Sequence, residues 1–98
     1  MLTKNDILNN LNNLNKLYLS EGVEIYALFG SYAKDTFDDF SDIDIAYKID
    51  YEKFSKKYQD GFSKLLKLQS IKEELEKIFN KRVDFVPFKK EFEKSLYV

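Results

Sequence analysis

Three aspartates are the residues of this chain whose types and spacing best suit chemistry. Asp42 and Asp44 are separated only by Ile43, and Asp84 lies in a later apolar stretch. Because side chains alternate between the two faces of a strand, Asp42 and Asp44 are expected to project from one face, where their oxygens can bind a hard cation together. Clustered carboxylates repel one another unless cations neutralise them. The pattern therefore predicts a magnesium site formed by Asp42, Asp44 and Asp84.

A Gly-Ser pair precedes these aspartates at the end of a β-branched and aromatic stretch. Gly30 lets the backbone approach a phosphate group closely, and Ser31 offers a hydroxyl donor. If a turn of helix follows, its free N–H groups also point at the anion. Gly30 and Ser31 are therefore predicted to bind the triphosphate of a nucleotide.

Hydrophobic periodicity indicates the elements that must position these residues. The predicted helices cover residues 3–17, with Thr3 or Asn5 as N-cap and Gly22 as stop, and residues 58–79, with Gly61 as a weak point or true beginning and Asn80 as the end. A turn of helix is expected at residues 31–35, and a short docking helix at residues 88–98. The predicted strands are residues 23–29, 42–49 and 82–87.

These elements predict one α/β (α+β) domain over residues 1–98, with a small mixed sheet of about three main strands flanked by helices. The short connection between the first two strands favours an antiparallel pair. The long helix before the third strand favours a parallel crossover. This topology brings Gly30 and Ser31 near Asp42, and Asp84 beside Asp42 and Asp44.

The composition excludes several kinds of chemistry and location. The chain has no histidine and no cysteine, so disulfides, zinc sites built on those residues, and Ser-His or Cys-His catalysis are ruled out. No apolar run approaches the length that spans a membrane, and the Asn-rich N-terminal segment does not look like a signal peptide. We therefore expect a cytoplasmic protein without a membrane partner.

The net charge of −1 hides an uneven distribution. Residues 1–50 carry 4 Lys and 9 Asp or Glu, whereas residues 51–98 carry 12 Lys or Arg and 8 Asp or Glu, so the halves are −5 and +4. The basic half lacks the dense stripe typical of nucleic-acid-binding proteins, and a solvated Lys-rich helix accounts for it. Nucleic acid is therefore not an expected partner.

The whole pattern resembles the polymerase-β-type nucleotidyltransferase superfamily. Gly30-Ser31, then Asp42 twelve positions after Gly30, then Asp44 and a later strand Asp84 carry the resemblance, which covers residues 22–87. In particular, the chain is similar to minimal nucleotidyltransferases that pair with HEPN-domain proteins as antitoxins. The combination is far more specific than its parts, because Gly-Ser alone carries no information.

The resemblance implies a role for each residue of the motif. Asp42 and Asp44 would be metal ligands, Asp84 a ligand or general base, and Gly30 and Ser31 the triphosphate cradle. Lys34 and Ser41 are weaker nucleotide-binding candidates, for meeting phosphate and positioning the loop. One departure is Asp35, which stands where relatives often have glycine and adds a negative charge near the cradle.

The function implied by the resemblance is transfer of a nucleoside monophosphate, AMP from ATP, to an acceptor hydroxyl, supported by two Mg²⁺ ions. The implied acceptor is a tyrosine of a HEPN-type toxin, which makes the chain a candidate type VII-like antitoxin in a homo- or hetero-oligomer. Two alternatives stay open: an antitoxin that acts by contact with weak or lost catalysis, and a transferase acting on RNA or on a small molecule such as an aminoglycoside.

Simpler interpretations exist for single residues. Asp42 and Asp44 can be solvated acids at a strand start, Asp84 an exposed edge residue, and Lys34 a surface lysine. A calcium loop around Asp38 is excluded, because an EF-hand needs glycine at its sixth position and glutamate at its twelfth. The joint occurrence of the motif's parts favours the active-site interpretation.

Overall fold

The computed structural model describes residues 2–34 and 36–88. Its strands are β1 (Val23–Phe29), β2 (Ile43–Ile49) and β3 (Val83–Pro87), and its helices are α1 (Lys4–Leu19), α2 (Gly30–Ala33), α3 (Tyr51–Lys57) and α4 (Gly61–Phe79). Asp35 and all but the first residue of the helix predicted at residues 88–98 lie outside the described residues.

The three strands form one mixed sheet in the order β1-β2-β3. β1 and β2 are antiparallel, and β2 and β3 are parallel. The core lies between this sheet and the helices, where Ile7 of α1 and Leu75 of α4 are fully buried with the strand residues Leu28, Ile43 and Ile45. The predicted fold class and sheet topology are confirmed.

The first helix is fixed at both ends by its sequence. The Thr3 hydroxyl accepts a hydrogen bond from the backbone N–H of Asp6, and the Asp6 carboxylate accepts one from that of Thr3, which makes a capping box. After α1, Gly22 adopts a φ of +91°, and a Cβ there would lie 2.5 Å from the backbone nitrogen of Phe54. Glycine is therefore required where the chain turns from α1 into β1.

A β-bulge in β1 sets the register at the end of the sheet that holds the motif. Ile25 pairs with Tyr47, but Ala27 pairs with Ala46, so Tyr26 has no partner on β2. The Asn15 side chain accepts a hydrogen bond of 2.8 Å from the backbone N–H of Ile25, next to the bulge. Because the extra residue reverses the alternation of faces, Leu28 joins the core and Phe29 pairs with Asp44.

The segment between β2 and the long helix differs from the prediction. A short helix, α3, lies between β2 and α4, where the sequence pattern predicted no element, and the Asp50 side chain caps it. α4 begins at Gly61, capped by Asp60, and ends at Asn80 in the left-handed conformation. The predicted helix at residues 58–79 is thus confirmed from Gly61 onward.

An ion-pair cluster around Glu21 joins the turn after α1 to α3 and α4. The Glu21 carboxylate lies 2.6 Å from the Lys57 ammonium and 2.9 Å from that of Lys67, and it accepts a hydrogen bond from the Tyr58 hydroxyl. The hydrogen bond from Lys57, together with those from Lys67 and Tyr58, lowers the pKa of Glu21 to about 2. The charge of Glu21 therefore helps to fasten the helices beside the sheet.

Within residues 2–34 and 36–88, no helix is both long and apolar enough to cross a membrane.

Candidate active site

The candidate site is centred on Asp44, which lies near the start of the middle strand. Asp44 pairs with Phe29 of β1 on one side and with Asp84 of β3 on the other. The antiparallel pair brings the end of β1 to this point, and the parallel pair brings the start of β3. The predicted convergence of Gly30, Asp44 and Asp84 therefore follows from the register of the sheet.

Gly30 leaves the space that the Asp44 carboxylate occupies. Gly30 has a φ of +75°, in the left-handed region. A Cβ on this residue would overlap Oδ2 of Asp44 and lie 3.1 Å from its Cγ. Glycine is thus needed here for its conformation and for its lack of a side chain.

Asp44 and Asp84 are direct partners in the ladder between β2 and β3. Burial raises the pKa of Asp44 to about 6, with further contributions from hydrogen bonding to Asp84 and from the negative charges of Asp84 and Asp42. Two acids held this close share a proton when no cation neutralises them. The pair therefore favours positive charge at this edge of the sheet.

Asp42 stands just outside the strand ladder, because β2 begins at Ile43. It lies near enough to Asp44 to raise the pKa of that residue by charge repulsion. Across residues 2–34 and 36–88, however, no three carboxylates are grouped closely enough to hold a metal ion. The structure brings Asp44 and Asp84 together with Asp42 nearby, but it does not assemble the three-carboxylate clamp that the sequence suggested.

The oxygen donors nevertheless suit a hard cation. Asp44 and Asp84 offer carboxylate oxygens from directly paired positions of neighbouring strands, and such oxygens are the ligands that hard cations take. The residues present therefore fit Mg²⁺ in chemistry.

The phosphate-binding candidates lie on α2, directly after β1. Ser31 is half-buried, and its backbone carbonyl accepts a hydrogen bond of 2.9 Å from the N–H of Thr36. Lys34 is exposed at the C-terminal end of α2. Gly30 and Ser31 thus lie beside the carboxylates, whereas Lys34 follows one helical turn later.

Ser41 organises the loop that delivers Asp42. Its hydroxyl accepts a hydrogen bond of 2.9 Å from the backbone N–H of Asp38 and donates one of 3.3 Å to the Asp38 carboxylate. The same carboxylate accepts a bond of 2.8 Å from the N–H of Phe40. The Ser41 hydroxyl, a candidate for loop positioning and for phosphate, is thus engaged within this turn.

Two supports of this loop were not predicted. The Lys81 ammonium donates a hydrogen bond of 2.9 Å to the backbone carbonyl of Asp39 and so ties the loop to the residues before β3. The buried Tyr32 stacks on Phe37 with ring centroids 4.2 Å apart. An aspartate three residues before a serine is a recognisable turn signal, but a contact as distant in sequence as that of Lys81 leaves no local pattern.

The arrangement can perform phosphate chemistry at a solvent-accessible edge. It combines a glycine that admits close approach, a carboxylate pair that favours positive charge, and an exposed Asp84. A family model described as a nucleotidyltransferase domain matches residues 8–97, a segment that contains every residue of the motif. No significant match was found among curated proteins or among solved structures.

Proposed function

The chain belongs to the family of nucleotidyltransferase domains, and on that premise we propose that it transfers AMP from ATP to an acceptor hydroxyl. The acceptor oxygen attacks the α-phosphorus, the bond from that phosphorus to the bridging oxygen breaks, and pyrophosphate leaves with the electron pair. The acceptor proton passes to a carboxylate of the site. The observation that carries this proposal is the contact of Asp44 with both Gly30 and Asp84.

Each residue of the site has a role in this reaction. Gly30 and Ser31 would accommodate the β- and γ-phosphates, because the backbone after β1 can approach them without a Cβ. Asp44 and Asp84 would hold Mg²⁺, with Asp42 nearby to add its charge, and the bound ion would neutralise the triphosphate and orient the attack. Asp84, exposed at the edge, would receive the acceptor proton. Catalysis rests on alignment and charge neutralisation.

The acceptor we propose is a tyrosine hydroxyl of a HEPN-type toxin, which makes this chain an antitoxin. The resemblance of the motif to minimal nucleotidyltransferases supports this assignment. The site also suits a protein acceptor, because Asp84 is exposed and Asp42 only half-buried, so a partner surface can approach them directly.

The test is incubation with ATP labelled at the α-phosphate, with Mg²⁺, with and without a HEPN-domain protein encoded beside this chain. Wild type is compared with Asp42→Asn/Asp44→Asn and with a control, Asp39→Asn, which removes one nearby exposed charge. We expect label on the partner with wild type and the control, and none with the double variant. Label on RNA or on a small molecule in the absence of the partner would show that the acceptor is not a protein tyrosine.

A second candidate is an antitoxin that acts by contact without transfer. The observation that favours it is that the described carboxylates do not form a group of three able to hold a metal ion. Under this alternative, Asp42→Asn would still neutralise the toxin, and no label would reach it despite tight binding. Neutralisation that disappears together with labelling in Asp42→Asn would rule the contact mechanism out.

A further inference from the structure

A groove between α4 and the sheet combines apolar side chains with lysines in its lining. Two adjoining cavities of about 470 Å³ and 140 Å³ share Tyr47 and Leu68. The first extends to Tyr51 and Phe88, and the second extends along α4 to Leu65. We refer to the two together as the α4 groove, which is walled by α4 on one side and by the C-terminal ends of β2 and β3 on the other.

Two apolar side chains that line this groove face solvent. Leu65 of α4 is 64% exposed and lines the smaller cavity, and Tyr51 of α3 is 71% exposed and lines the larger one. The buried residues of α4 are instead Ile71, Leu75 and Phe79, with Leu68 partly buried against the core. Exposed apolar side chains along a groove are typical of an interaction surface.

All charged side chains among the described residues that line the α4 groove are lysines. Lys48 and Lys64 line the larger cavity and Lys72 the smaller one. Lys64, Leu68 and Lys72 follow one another at i, i+4 and i+8, so they form one stripe of α4. In the part of the chain that the structure describes, neither Lys64 nor Lys72 makes an ion pair.

From this lining we propose that the α4 groove binds an acidic amphipathic helix of a partner protein. The partner's apolar residues would pack on Leu65, Leu68 and Tyr47, and its carboxylates would meet Lys64 and Lys72. Helix-in-groove recognition needs this combination of an apolar floor and a rim of one charge.

Charge complementarity favours this occupant over two others. Residues 89–98, predicted above as part of a docking helix, contain three lysines and two glutamates, so their net charge of +1 complements a lysine rim less well than an acidic helix does. A second copy that placed its acidic loop near Asp38 and Asp39 on the α4 groove of the first would make a head-to-tail contact, which produces rings or filaments. An acidic partner helix needs no such assembly.

The α4 groove and the candidate active site use opposite faces of the strands. Tyr47 lies three residues along β2 from Asp44, about 10 Å at 3.3 Å per residue, whereas Phe85, which lines the smaller cavity, directly follows Asp84. Because successive side chains of a strand point to opposite faces, a partner anchored on Phe85 and Tyr47 would leave the carboxylates free. The proposal does not depend on nucleotidyl transfer, and binding and labelling can fail separately.

The binding test uses the full chain and a fluorescein-labelled helical peptide of about five turns, with leucines at i, i+3, i+4 and i+7 and glutamates beside them. The control peptide carries lysines in place of the glutamates. Lys64→Glu/Lys72→Glu is compared with Lys16→Glu/Lys77→Glu, which changes the net charge equally at positions that line neither cavity. We expect the acidic peptide alone to bind, and roughly tenfold weaker binding only for the groove variant.

A photo-crosslinking amino acid at Leu65 identifies the occupant directly. Adducts with the acidic peptide support the proposal. Adducts within the same chain to residues 89–98, or to a second copy, that persist at saturating peptide would overturn it. Equal binding of the two peptides, or an equal loss of affinity in the groove and control variants, would also overturn it.

Discussion

Substitution of Gly30 by alanine tests the geometry of the site most directly. The residue has a φ of +75°, and an added Cβ would overlap the Asp44 carboxylate. Gly61 offers a matched control, because a Cβ there meets no atom within 4 Å and the residue opens a helix. Both variants add one methyl group, but only Gly30→Ala forces the backbone and a site carboxylate to move.

The expected magnitudes follow from these contacts. A left-handed conformation costs an L-residue ~1–2 kcal/mol, and displacement of the Asp44 side chain from its rotamer adds ~0.5–1.5 kcal/mol. We therefore expect Gly30→Ala to lose about 1.5–3.5 kcal/mol of unfolding free energy. Gly61→Ala should gain about 0.4–1 kcal/mol, because it restricts the unfolded chain.

The two variants are compared by urea unfolding and by the labelling assay. A misplacement of about 1 Å at a reacting centre costs ~10²-fold in rate, so Gly30→Ala should be nearly inactive under conditions where it remains folded. Gly61→Ala should retain full activity. If Gly30→Ala unfolds at the same urea concentration as wild type and still transfers label, the close packing of Asp44 on Gly30 does not exist in solution.

Three further outcomes follow from the structure. Because burial raises the pKa of Asp44 from 3.8 to about 6, wild type loses stability as pH rises through that range. Urea unfolding without metal should therefore show Asp44→Asn about 1 kcal/mol more stable than wild type at pH 7.5, after allowance for solvent screening. Equal stability of the two proteins at pH 7.5 would refute this. The pKa of Glu21 is instead lowered from 4.5 to about 2, so Glu21→Gln should be about 2 kcal/mol less stable than wild type at pH 7. Calorimetry should show this difference in stability shrinking as pH falls from 4.5 towards 2. The control Lys56→Gln, which removes an exposed lysine, should show no such loss of stability. Lys81→Met should lose the hydrogen bond to the carbonyl of Asp39 and raise the Mg²⁺ concentration needed for transfer. Lys81→Arg keeps a donor and should need the same Mg²⁺ concentration as wild type. An unchanged Mg²⁺ requirement in Lys81→Met would exclude a role of Lys81 in positioning the loop.

The sequence predicts the sheet because its signals are local and strong. Val23–Phe29 is a β-branched and aromatic stretch followed by Gly30, which marks the end of the strand. The long helix before β3 favours a parallel crossover between β2 and β3. The pairing of Asp44 with Asp84 follows from that topology. The same reasoning predicted the approach of Gly30, because a short antiparallel connection returns the chain to the end of β1.

Other features could not be predicted for physical reasons. β1 is apolar at nearly every position, so its pattern gives no sign of the bulge at Tyr26 that reverses the faces. The exposure of Phe62 and Leu65 could not be predicted, because apolar periodicity does not distinguish side chains that pack in the core from side chains that face solvent. The position of Asp42 outside the ladder depends on where β2 begins, and strand ends are poorly determined by sequence.

The parallel pairing of β2 with β3 has a consequence for the order of folding. β1 and β2 are close in the chain, so their contacts can form early, whereas Asp44 and Asp84 meet only after α4 has crossed over and closed a long loop. The carboxylate pair is thus among the last features to be completed during folding. A chain released half-folded would lack the Asp44–Asp84 pair on which the proposed transfer depends.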